Sequence, residues 1–141
     1  MRGIISRLVP LSVVLLLATS CGDSGTGTTP TTPSTSTETT ETFSGILTTN
    51  GAFAHPFVVL AGGAITATLG VLSPDSGKPI GMALGTWNGT SCQIVLGNAT
   101  AVQGSQVLGA ATVAGSFCLW VNDAAGTVTS PESYTVQVTH P

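Results

Sequence analysis

His55 and His140 are the only histidines in the 141-residue chain, and so the only side chains whose ordinary pKa suits a general base near neutral pH. Nucleophiles are easy to find among so many serines and threonines, and that abundance makes each of them uninformative. His55 precedes Pro56 at what reads as the start of a strand, and His140 is the penultimate residue, where chain ends fray. A Ser-His-Asp relay would need Asp75, Asp123 or Glu132 to orient one of these rings, and all three acids stand in apparent turns. No two acids share a motif of the kind paired-carboxylate hydrolysis requires. Catalysis is not expected, and a small hydrolase is the weakest functional class for this chain.

Cation binding fares little better. The stretches "SPDSG" and "VNDAAG" each offer one acid with a few amide or carbonyl oxygens, too few for calcium; an acid capping its own turn is the ordinary role. Neither a metal nor a cofactor is expected. Cys92 and Cys118 supply only two of the ligands a zinc site needs. In an exported domain they would oxidise to a disulfide, closing a 27-residue loop and stabilising the fold by roughly 3–4 kcal/mol through chain entropy. Two buried free thiols are the alternative. Trp87 and Trp120 are the remaining candidates for ligand contact. Alternation along "FCLWV" turns Trp120 away from Phe117, Leu119 and Val121, onto an outer face beside Cys118, and Trp87 reads as part of the "TWNGTSC" loop. Exposed tryptophans could stack on sugar rings or anchor a protein partner; the alternative is that the two pack together over the disulfide.

The third cysteine differs from the other two. Arg2 and Arg7 precede an apolar segment from Leu8 to Ala18, followed by small residues and Cys21, the three-part layout of a secretory signal. Eleven residues, interrupted by Pro10 and Ser12, fall short of the ~20 that span a bilayer. The sequence "LATSC" resembles the lipobox of bacterial lipoproteins, although Ala18 stands where that pattern usually has Leu. The resemblance implies cleavage after residue 20 and acylation of Cys21, anchoring the protein to membrane through covalent lipid; plain secretion is the alternative. Gly22, not Asp, follows the cysteine, which favours the outer membrane or cell surface in a two-membrane cell.

Residues 22–42 contain ten threonines, three serines and two prolines among 21 positions. Such a stretch cannot repay the entropy of folding and reads as a disordered tether, or as a glycosylated stalk. Without the leader, Lys78 alone opposes six carboxylates, a balance of −5. That excludes the basic footprint needed for nucleic acid and any electrostatic attraction to anionic lipid.

The elements that would position these groups lie in residues 43–141. Apolar residues recur there at period two: Ile65, Ala67, Leu69; Ile80, Met82, Leu84; Phe117, Leu119, Val121; Tyr134, Val136, Val138. Turn signals such as "TTNG", "AGGA", "SPDSGKP", "WNGTS" and "NDAAG" separate the runs. About eight short strands with no amphipathic helix predict an all-β, antiparallel, jelly-roll-like β-sandwich. Gly81 and Gly85 sit away from turns, which predicts close packing on an outer face.

The segments "FSGILTTNGAFAHPFVVLAGGAITATLGVLSP", "IGMALGTWNGTSC", "GSFCLWVND" and "ESYTVQVTH" resemble, over nearly the whole globular part, the bacterial pre-peptidase C-terminal domain family. Phe57, Gly62, Leu69, Phe117, Leu119, Val121, Tyr134, Val136 and Val138 match its patterned positions; Phe117 replaces the usual Tyr, and the cysteines are not part of the pattern. The resemblance implies a jelly-roll-like sandwich that usually serves as an appendage of secreted enzymes. The expected role is a lipid-anchored, non-catalytic binding or structural module of the cell envelope, with a protein or glycan partner; a carbohydrate-binding accessory domain is the alternative.

Overall fold

The computed structural model describes residues 37–141; Cys21, the leader and most of the tether lie outside the described residues. Eight strands follow one another: β1 (Thr39–Leu47), β2 (Ala52–Val59), β3 (Gly63–Ser73), β4 (Ile80–Trp87), β5 (Cys92–Ala101), β6 (Gln106–Ala111), β7 (Gly115–Asn122) and β8 (Glu132–His140). They form two four-stranded antiparallel sheets, ordered β1-β8-β3-β6 and β2-β7-β4-β5. The pairing is nested: β1 with β8, β2 with β7, β3 with β6 and β4 with β5.

The predicted alternation holds where one face is buried. Ile65, Ala67 and Leu69 of β3 point into the core with Tyr134, Val136 and Val138 of β8, against Leu84, Leu119 and Val121 from the opposing sheet. Thr66, Thr68, Thr135 and Thr139 alternate with them outside. β4 departs from the pattern, because Ile80 to Gly85 are buried on both faces. There the glycines expected to mark close packing do so: a side chain on Gly81 would collide with the Asn122 amide, and one on Gly85 with the Gln93 carbonyl.

The disulfide explains Gly85. Cys92 and Cys118 are bonded, with their Cα atoms 5.7 Å apart, yet they belong to β5 and β7, which flank β4. Next-nearest strands of a flat sheet lie roughly 9.5 Å apart, so the sheet folds sharply at this level. Gly85 is the register partner of Cys118, directly in the crease, and the pairing of β4 with β5 slips between Leu84 and Gly85.

Two expectations about the ends of the globular part are corrected. Strand β1 begins at Thr39, inside the stretch assigned to the tether, because Thr39 to Thr42 continue the ladder with His140 to Gln137. Residue composition could not show that β8 has backbone partners to offer there. His140 is not frayed: it closes β8, only 3% exposed, and Leu60 N donates to the Pro141 carbonyl at 3.3 Å.

Candidate functional site

The two sheets leave two long edges, one between β1 and β2 and one between β5 and β6. Along the first, inward positions carry rings. Phe43 stacks on His55 at 5.2 Å between centroids, Phe57 stacks on His140 at 5.2 Å, and Tyr134 meets His55 edge-on. His55 Nε2 shares a 2.8 Å hydrogen bond with the Tyr134 hydroxyl, and His140 Nε2 lies 2.9 Å from Glu41 Oε1. Gly45 faces Tyr134 across the β1/β8 ladder, and a Cβ there would sit 2.7 Å from the ring carbon Cζ; the absent side chain is what admits the phenol.

These contacts place the residues considered for catalysis. His55 lies within β2 rather than at its start, and burial lowers its pKa, favouring the neutral ring. Burial pushes the Tyr134 phenol up to about 12, so it remains a hydrogen-bonding hydroxyl at neutral pH. Asp75, Asp123 and Glu132 are not gathered with the histidines into one relay, because they lie in or beside the β3–β4 and β7–β8 connections. Asp123, just beyond β7, accepts from Asn50 N, Thr127 N and Val128 N at 3.1, 2.9 and 3.1 Å. Burial alone would raise its pKa; these backbone donors and the Thr127 hydroxyl outweigh that and lower it. Asp75 caps its own turn through Gly77 N at 3.0 Å and pairs with Lys78 at 3.3 Å. Glu132, also buried, accepts from Asp75 N at 3.1 Å. Both loops named for calcium thus use their acids to bind their own backbone.

The opposite edge is built differently. The inward positions of β6 are Val107, Gly109 and Ala111, and with so little side chain there the sheets do not close. An apolar cleft of about 410 Å³ remains, lined by Ile65, Leu84, Val95, Leu96, Gly109 and Phe117 among others. Phe117 is its inner wall and stacks on Phe57 behind it at 6.1 Å, so the ring-filled edge backs the open one. Val95 and Leu108 on the flanking strands are largely exposed. Residue-type reasoning passed over this site because it contains no group with distinctive chemistry; the small-residue run "LGAATVAG" at 108–115 was the available signal.

The tryptophans stand apart from it. Trp87 is the last residue of β4 rather than a loop residue, and Trp120 pairs with Ala83, four positions back along the same strand, roughly 13 Å at strand rise. Both are half-buried, and among the described residues no aromatic pair joins them. The two rings therefore do not pack against each other as a joint platform. Trp120 does border a smaller hollow of about 250 Å³ with Gly97, Asn98 and Asn122.

Compared with known proteins, the chain matches no family model, and no curated protein matches it.

Proposed function

We propose that the protein is a lipid-anchored, non-catalytic binding module of the cell envelope, on the outer membrane or surface where the cell has two membranes, held by acylated Cys21 and presenting the β5/β6 cleft to an apolar ligand. The cleft carries this reading: its volume falls in the range of small-molecule sites, and its lining is apolar. The engagement of both histidines and of Asp75, Asp123 and Glu132 in structural hydrogen bonds supports binding over catalysis. The nested strand pairing supports the jelly-roll-like form that the resemblance to the pre-peptidase C-terminal domain implies.

Titration with the neutral dye N-phenyl-1-naphthylamine tests the cleft. The dye should brighten on binding, and Gly109→Leu, which projects a side chain between Leu84 and Leu96, should weaken binding at least tenfold while the protein stays folded. No binding by the native protein, or equal binding by the variant, refutes the assignment. Labelled palmitate incorporation lost in Cys21→Ser tests the anchor.

A second reading has one specific observation behind it. Trp120 beside the amides of Asn98 and Asn122 combines an apolar ring with hydrogen-bonding groups, as sugar recognition requires. Glycan-array binding abolished by Trp120→Ala and retained by Gly109→Leu would move the ligand site to this hollow.

A further inference from the structure

The connections at the two ends of the sandwich differ in charge. At one end lie the β1–β2 turn, the β3–β4 loop, the β5–β6 turn and the β7–β8 loop, and in or beside them are Asp75, Lys78, Asp123 and Glu132. The other end consists of three connections, Leu60-Ala61-Gly62, Asn88 to Ser91 and Thr112-Val113-Ala114, none of which carries a charge. Leu60 is 78% exposed and Val113 69% exposed, and Val58 beside them is also exposed. The first and third connections touch, since a Cβ on Gly62 would lie 2.7 Å from the Thr112 carbonyl oxygen. Trp87, which ends β4, sits at this same end, because Thr86 pairs with Phe117 and Val59 pairs with Gly115.

The end with these uncharged connections is also where the chain arrives. Thr39 pairs with His140, and the Pro141 carbonyl accepts from Leu60 N, so the first residue of β1 lies beside the Leu60 connection. Cys21 precedes Thr39 by 18 residues, which reach at most about 60 Å when fully extended. An acyl group on Cys21 therefore keeps this end nearest the bilayer on average and holds it at high effective concentration there.

We propose that the end with the uncharged connections rests on the membrane, with Leu60 and Val113 inserted among lipid acyl chains at the interface. The inference rests on the lipid-anchor reading of Cys21. Apolar side chains at two touching turns, next to the anchored terminus and opposite the loops that carry Asp75, Asp123 and Glu132, are the arrangement a shallow end-on contact needs. Its chemistry is apolar at the connections themselves; among the described residues the acidic side chains near the chain's arrival are Glu38 and Glu41, the latter 2.9 Å from His140 Nε2. The contact should withstand high salt, which screens charge attraction.

The chain's two tryptophans serve as internal depth probes. Full-length protein, reconstituted in phosphatidylcholine vesicles containing brominated acyl chains, is compared as Trp120→Phe, retaining Trp87, and Trp87→Phe, retaining Trp120. Bromine should quench Trp87 at least twofold more than Trp120, unchanged in high salt. Leu60→Asp with Val113→Asp should bring Trp87 down to the level of Trp120; should that pair fail to fold, Leu60→Ser alone should lower it partway. Equal quenching of the two tryptophans overturns the proposal, as does lipid-independent dimerisation that the same substitutions abolish, which would assign the face to a second copy. The mass of the N-terminal peptide separates the two readings. If Cys21 carries no acyl group, the anchor reading fails; preferential Trp87 quenching of that unacylated chain would still uphold the end-on contact, and its absence would refute both.

Discussion

The two long edges of the sandwich solve the same problem in opposite ways. Between β1 and β2, Phe43, His55, Phe57, Tyr134 and His140 fill the gap with stacked rings. Between β5 and β6, Gly109 and Ala111 occupy the equivalent inward positions and leave about 410 Å³ open. A filled edge adds burial and fixes the sheets against each other; an open edge forgoes that stabilisation and keeps space for a ligand. The difference is one of side-chain volume on similar backbone, so substitutions can convert one edge toward the other.

The largest effect should come from emptying the filled edge. Tyr134, 1% exposed, is among the largest buried side chains, and Tyr134→Ala should destabilise by about 3–5 kcal/mol, read as a drop in denaturant midpoint. A smaller loss would mean that the ring cluster is not what holds this edge. Next, Cys92→Ala with Cys118→Ala should cost about 3.5 kcal/mol for a separation of 26 residues, releasing the crease over Gly85 beside the cleft. Dye binding in the cleft should then weaken more than it does in Tyr134→Phe.

Protonation tests the filled edge at intermediate size. The Tyr134 pKa is raised to about 12 by burial, so above pH ~10 the unfolded chain loses this proton first and stability falls until about pH 12, by on the order of 2 kcal/mol. Tyr134 is the sole tyrosine, so phenolate absorbance reports it directly, and Tyr134→Phe should flatten the slope. His55 has the opposite sense: its lowered pKa means the unfolded chain takes up the proton first as pH drops below ~6.5, and stability declines through that window. A pH-independent midpoint there would contradict the buried neutral ring. The smallest change is expected at the open edge, where Gly109→Ala should alter stability by no more than about 1 kcal/mol, because its Cβ would meet Leu84 and Leu96 at ordinary contact distances of 3.4 and 3.5 Å.

The strands were legible because period two is a local property. A face that must be buried writes itself into Ile65-Ala67-Leu69 and Tyr134-Val136-Val138 without reference to any partner. The disulfide was legible by chemistry, with two cysteines left in the globular part, and Asp75 capping its own turn follows from a side chain's reach to nearby backbone. β4 was less so, since burial on both faces removes the polar alternation.

The amino-acid sequence by itself determined an all-β chain, its strand runs, its turns and its cysteine pair, all of which depend on neighbours a few residues apart or on residue counts. Only tertiary structure decided which inward positions share an edge. Residues as distant as His55 and Tyr134, or Leu84 and Gly109, meet because the strands pair in nested order, and a cleft is the absence of side chain between such distant residues. The same holds for the end where Leu60, Val113 and the arriving chain are brought together by strand direction rather than by any local pattern.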